Sequence, residues 1–339
     1  MRISRTWTLA LAAGVLCVSS CTTMAGHPAS VPSVDAAPPT VRPIPSHIAT
    51  LTPLLNRIER DFGQVRGASP GPEDIADYRI GDLWARGIDG TGTTIALVEG
   101  WDDPLINLAM TRFDQQFGLP DPDIQTIYPT SGGHLPAHCP PGMVALGTYG
   151  SCDAWAPELE LDVAAAHVIA PYAKILLVIA PADSEITGDA ASQVAPPEMM
   201  QAVEYVSEHH LADAISISDD TGESTYSHHR PEITAQDPGE LAAAAAGIPL
   251  VVGTGDCGAV QNLAVATSQC GDTTTKPDTA AWDDSPWVTA VGGGLPELNP
   301  STGGHLAADR VWQEGRLSEG AGFSSVYSRP DFQRQVASI

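Results

Sequence analysis

Apolar residues along this chain fall in short unbroken runs. "TTIALVEG" (93–100), "AKILLVIAP" (173–181), "AISIS" (214–218), "IPLVVGTG" (248–255) and "WVTAVGG" (287–293) each read as a strand, as does "IQTIYP" (124–129). A strand with little polar character on either side belongs in a sheet covered on both faces. The segments between them carry helical period. "PLINLAMTRFDQQFGL" (104–119) is amphipathic and stops at Gly118 and Pro120. "PPEMMQAVEYVSEHH" (196–210) starts with prolines, where a helix tolerates them, and ends in histidines, where its dipole favours cations. "PGELAAAAAG" (238–247) is a third helix. Buried strands alternating with helices predict one α/β domain, a doubly wound parallel sheet, from about residue 75 onward.

One helix departs from the ordinary pattern. "PELELDVAAAHVIAPYAKILLVIAP" (157–181) opens with Glu158, Glu160 and Asp162 before a long apolar run. Residues four apart share a helix face, so Glu158 and Asp162 are expected to lie together, in line with Ala165, Ala166 and Ile169. Glu160 lines up with Ala164 and His167 on the more polar side. Acids in a first turn complement the helix dipole, which is enough to account for Glu160. A pair turned inward repels and is costly to desolvate, and such pairs share protons in general acid/base chemistry. A second acid, Asp256, sits among glycines in "GIPLVVGTGDCGA", just past a buried strand, where α/β proteins place functional groups and where turn-forming Asp is also common. No G-x-G-x-x-G follows the first strand, so nucleotide binding has little support.

The ends of the chain and its charge set the context. "MRISRTWTLALAAGVLCVSSC" (1–21) has the form of a secretory signal, and Val18-Ser19-Ser20-Cys21 resembles a bacterial lipobox with Cys21 as lipid anchor; cleavage near "TTMAG" is the other reading. Residues 22–74 are rich in Pro, Ala, Ser and Thr and read as a disordered tether. In an exported chain, Cys139, Cys152, Cys257 and Cys270 fall into two local disulfides, Cys139–Cys152 and Cys257–Cys270. A zinc site on His134, His138 and Cys139 is disfavoured because Pro136 interrupts it, and no metal is expected. Sixteen basic against 41 acidic residues give a net charge of −25, which excludes nucleic acid and anionic lipid as ready partners.

The motifs, taken in order, resemble the sedolisin or serine-carboxyl peptidase family, acid-active relatives of the subtilisins. "YRIGDLWARGIDGTGTTIALVEGWDDP" is similar to the opening of its catalytic domain, and the 157–181 segment to its E-x-x-x-D helix and following strand. "GIPLVVGTGDCG" resembles its G-D-S-G loop, "AWDDSPWVTAVGGG" its F-P-A-S-S-P-x-V-x-x-V-G-G-T run, and "EGAGFSSVYSRPDFQ" its S-G-G-G-F-S segment. The resemblance implies a subtilisin-like fold, with Glu158 as the general base toward a serine, Asp162 hydrogen-bonded to it, and Asp256, protonated, as oxyanion donor. It places Ser216, Ser218 and Asp219 against a peptide or protein substrate.

Three departures qualify it. The family's S-W-G stands here as Ser218-Asp219-Asp220, a negative pair that favours basic or neutral peptide side chains. Only a tether-length segment precedes residue 75, where the family carries a long propeptide. The G-T-S-x-x-x-P nucleophile motif does not occur before Ile339, and the family's calcium site would lie beyond that residue. The expectation is an exported, monomeric, sedolisin-like endopeptidase domain lacking its C-terminal part, inactive for want of the serine and without a cofactor. The alternative is a non-catalytic surface lipoprotein that binds peptides or a protein partner. An unrelated α/β binding protein would leave the ordered matches as coincidence.

Overall fold

A computed structural model of the chain describes residues 80–103, 105–129, 152–180, 197–219, 221–226, 228–261, 263–264, 269–270, 277–295, 310–314 and 317–334. The signal segment, the tether, Cys21, Cys139 and the His134–His138 stretch lie outside the described residues. Six strands form one sheet: β1 (Thr94–Glu99), β2 (Asp123–Ile127), β3 (Lys174–Ile179), β4 (Ala214–Ile217), β5 (Leu250–Gly253) and β6 (Thr289–Val291). Their spatial order is β2-β3-β1-β4-β5-β6, and all five pairings are parallel. The helices are α1 (Ile80–Trp84), α2 (Ile106–Phe117), α3 (Cys152–Ile169), α4 (Pro197–Glu208), α5 (Arg230–Thr234) and α6 (Asp237–Ala246). The expected doubly wound α/β architecture is therefore the observed one.

The apolar runs explain the layering. Alternate residues of β1 and β3 point to opposite faces. Ile95, Leu97, Ile175 and Leu177 pack against Met110 and Phe113 of α2 and Leu159 and Val163 of α3. Ala96, Val98, Leu176 and Val178 pack on the other side against Met199 and Val203 of α4 and Ala243 of α6. The helix stops are those the sequence marks: Gly118 and Gly247 take left-handed φ values of 70° and 73° at the ends of α2 and α6.

Two details differ from expectation. Helix α3 begins at Cys152, ahead of Pro157. The stripe of α3 that the sheet buries runs through Leu159, Val163, Ala166 and His167, one position on from the expected acid face. His167 is fully buried and not on a polar side. Its Nε2 lies 2.8 Å from the Pro120 carbonyl and 3.1 Å from Asp114 Oδ1 of α2, so the polar ring is compensated inside the helix pair.

Topology fixes where a site can form. From β1 the chain leaves toward β2, whereas from β4 it leaves toward β5 and β6. The crevice at the carboxyl ends of β1 and β4 is thus the switch point of the sheet, the usual ligand position in open α/β folds. At the far end, β6 closes the sheet order with Thr289 and Ala290 exposed. No helix among the described residues is long and apolar enough to cross a membrane.

Candidate active site

Strand alternation aims the cleft residues. Glu99 follows Ile95 and Leu97 on the α3 side of β1, while Ser216 and Ser218 follow the opposite parity to Ile215 and Ile217 and face the same way. Both therefore meet the acids of α3. Ser218 Oγ donates to Asp162 Oδ1 at 2.8 Å. Glu99, only 1% exposed, hydrogen-bonds the same carboxyl. Apart from that contact, Glu99 Oε1 and Asp162 Oδ2 are enclosed without a partner. One proton held between the two carboxyls satisfies both oxygens.

Glu158 and Asp162 are half-buried residues at the rim of the stripe, but their carboxyl groups are shut off from solvent. Burial, then the charges of Asp162 and Asp256, push the Glu158 carboxyl up to about 8. Burial raises Asp162 to about 6, held back by the hydrogen bonds from Ser218 and Glu99. Glu99 is raised well above the carboxylate range by burial first, then by Asp162, Glu158 and Asp219. The expected inward pair is thus a cluster of three. Of these acids Asp162 gives up its proton most readily and accepts from the other groups. Glu160 is half-buried on its own side of α3.

Asp256 hangs over the cleft from the loop after β5. Gly255 before it takes φ +80°, which a side chain would strain. The loop is pinned to the 317–320 strip: Ser318 N–H donates to the Asp256 carbonyl at 2.8 Å, Gly258 N–H to Ser318 O at 2.9 Å, and Gly320 N–H to Gly255 O at 2.8 Å. A Cβ at Gly320 would collide with the Thr254 carbonyl, so only glycine permits this approach. The Asp256 residue is exposed although desolvation raises its carboxyl, and solvent screening discounts that shift. Cys257 beside it is disulfide-bonded. The Cys139–Cys152 pairing falls outside the described residues. Of the residues expected to lie against substrate, Ser216 is half-buried within β4, Ser218 is exposed, and Asp219 bears electrostatically on Glu99.

Three acids that the structure ties to other elements escaped the sequence reading. Glu99 was visible in principle as the last residue of an alternating strand on the parity that meets α3. Glu319 stands where the resembled S-G-G-G-F-S segment has its first serine. It accepts from Thr254 Oγ1 at 3.2 Å and is raised by burial, with Asp256 adding to the rise. Glu223, 2% exposed, takes Ser325 N–H at 2.8 Å, Ser325 Oγ at 2.7 Å and Val326 N–H at 3.3 Å, as well as the Ser324 hydroxyl. Ser324 and Ser325 are therefore occupied in holding the 324–326 segment. Among the described residues no group of His, Cys, Asp and Glu is disposed to hold a metal ion.

No protein-family model matches the chain. Kumamolisin from Bacillus sp. (strain MN-32) is 24% identical over 291 residues, which cover 84% of this chain and 45% of kumamolisin. The chain thus spans about half the length of that relative. The structure of Pseudomonas sedolisin, a serine-carboxyl proteinase complexed with two molecules of pseudo-iodotyrostatin, superimposes with a TM-score of 0.58 at 21% identity, over 78% of this chain and 66% of that one. With a parallel sheet of the same kind and a sequence match to kumamolisin, the chain is sedolisin-like, with the subtilisin-like fold of that family.

Proposed function

We propose that this chain is an exported, carboxyl-based peptide-binding domain of the sedolisin peptidase type. In this reading a peptide lies across the carboxyl ends of β1 and β4. Glu158 faces it as the general base toward a serine hydroxyl, Asp162 holds the proton that Glu158 receives, and protonated Asp256 donates to the carbonyl oxygen. The observation that carries the proposal is the enclosed cluster of Glu99, Glu158 and Asp162 with Asp256 acting on it. Three acids sharing protons at a topological switch point are expensive as mere structure and suited to acid/base work. Kumamolisin and Pseudomonas sedolisin support a peptide or protein as the ligand class.

Peptide binding at acid pH is what is proposed of these residues. Cys21 lipidation after export, the Cys257–Cys270 disulfide and a monomeric state belong to the same proposal. Fluorescence anisotropy with a labelled basic hexapeptide at about pH 4 tests it, since carboxyls of normal pKa are half-protonated there. Saturable binding is expected, weakened about tenfold, or 1.4 kcal/mol, by Asp219→Lys, with the peptide intact by mass spectrometry. Absence of saturable binding by the folded chain would sink the reading.

A further inference from the structure

Beyond β4 the chain makes a short 3₁₀ turn, Glu223–Thr225, and enters α5 through a residue in a rare conformation. His229 takes φ 45° and ψ −118°, a positive-φ backbone that glycine adopts freely and a histidine seldom does. Such an outlier persists only where its surroundings hold it, and it points to a use for the side chain. The ring stands beside the strap 317–326. His229 Nε2 lies 3.3 Å from Ser325 Oγ and 3.9 Å from Glu223 Oε2. Glu223 is buried and accepts from four donors of the strap: the Ser324 hydroxyl, Ser325 N–H, Ser325 Oγ and Val326 N–H. Because the Ser325 hydroxyl hydrogen goes to Glu223, the His229 ring nitrogen is left to donate to Ser325 Oγ. A proton on the other ring nitrogen keeps that bond and adds a positive charge beside the carboxylate.

The strap ties this spot to the loop that carries Asp256. Its first part is pinned there through Ser318, Gly258 and Gly320 N–H, and Ala321 N–H adds a bond to Gly258 O at 3.4 Å. Its middle presses Gly322 against Thr279, where a Cβ would collide. Its last part ends on Glu223. The charged groups around the ring are Glu223 from the turn and Arg230 and Glu232 from α5. Arg230 is engaged with the Ser325 carbonyl at 3.0 Å, and Glu232 with His228 at 2.7 Å. Asp278 holds Ser224 on the same turn, Tyr327 is turned to Asp237, and residues 323–327 carry no charge. We propose that His229 is an acid-operated latch on the strap: its protonation draws Glu223 and the 324–326 segment together and so steadies the loop that presents Asp256. The latch stands on this geometry alone; its benefit to a bound ligand rests on the peptide reading of the cleft.

Hydrogen exchange of the full chain, followed by mass spectrometry and corrected for the intrinsic pH dependence of each amide, reads the latch without any ligand. Protection of Ser325 and Val326 N–H should rise about threefold from about pH 7.5 to about pH 5.5, the span in which imidazoles take up a proton. The Ser318 and Gly320 amides should move in the same direction. His229→Gln should keep all four at their neutral level at both pH values. His229→Gly, which relaxes the backbone and lacks the ring, should do the same. A wild-type profile that stays flat or falls on acidification overturns the latch, as does a rise that survives in either variant. Peptide anisotropy separates the two readings. An acid rise in protection without saturable peptide binding sinks the peptide reading and upholds the latch; saturable binding with a flat exchange profile does the reverse.

Discussion

Asp162 sits lowest among three raised acids because Ser218 and Glu99 both bond to it, whereas burial and like charge act unopposed on Glu158. That ordering has a consequence for stability. An acid whose folded pKa lies above its unfolded value holds a proton that unfolding releases. Its contribution is fully present below the unfolded value and is lost as pH rises through the folded one. Here the window runs from the ordinary values of 3.8 and 4.5 up through about 6 and about 8. The melting temperature should therefore fall between about pH 4 and about pH 8, corresponding to a few kcal/mol. Glu158→Gln should flatten that slope, because an amide cannot ionise; an unchanged slope would show that Glu158 is not enclosed. Glu223 acts in the opposite sense, as an acceptor for several buried donors. Glu223→Ala should cost about 3 kcal/mol in urea denaturation, and Glu223→Gln less, since an amide oxygen keeps part of the set.

At the scale of elements, α3 does two jobs at its two ends. Its early residues bring the acids to the cleft, and its last turn anchors it to α2 through His167 and Asp114. Burial raises Asp114, and the bond and charge of His167 oppose that rise. His167→Ala would open a cavity and leave Asp114 enclosed without its counter-group. A loss of about 3 kcal/mol is expected, measured by thermal melt, with slower peptide binding only if α3 shifts. Much of this architecture was legible. Unbroken apolar runs named the strands, and the i, i+4 spacing brought Glu158 and Asp162 together. The face was misread by one position, because periodicity alone cannot say whether a stripe bordered by acids is centred on them or beside them. His167 misled for a related reason: a polar ring reads as surface until Pro120 and Asp114 supply its partners from 47 and 53 residues away in sequence, at 2.8 and 3.1 Å. Strand parity could have pointed to Glu99, but Glu223 and Glu319 stayed hidden because their partners lie on other elements, and no local spacing reports such contacts.

For the whole molecule, the acid excess and the acid cleft point the same way. The net charge of −25 draws cationic peptides toward the surface, and the cleft adds Asp219 and Glu319 to the carboxyls already there. Binding of a basic peptide should weaken severalfold on raising salt from about 0.05 M to about 0.5 M, while a neutral peptide of the same length should change little. A salt-insensitive basic peptide would mean that contacts, and not field, set the preference. The same charge also governs how copies of the chain treat one another. Among the described residues β6 is the last strand of the sheet, with Thr289 and Ala290 exposed, and such an edge is a template for another strand. At neutral pH the mutual repulsion of like-charged copies guards that edge. Near the pI of about 4.4 it no longer does, so the acidity that keeps the cleft protonated also favours edge-to-edge stacking, and the chain is colloidally weakest where its acid site is fully charged with protons.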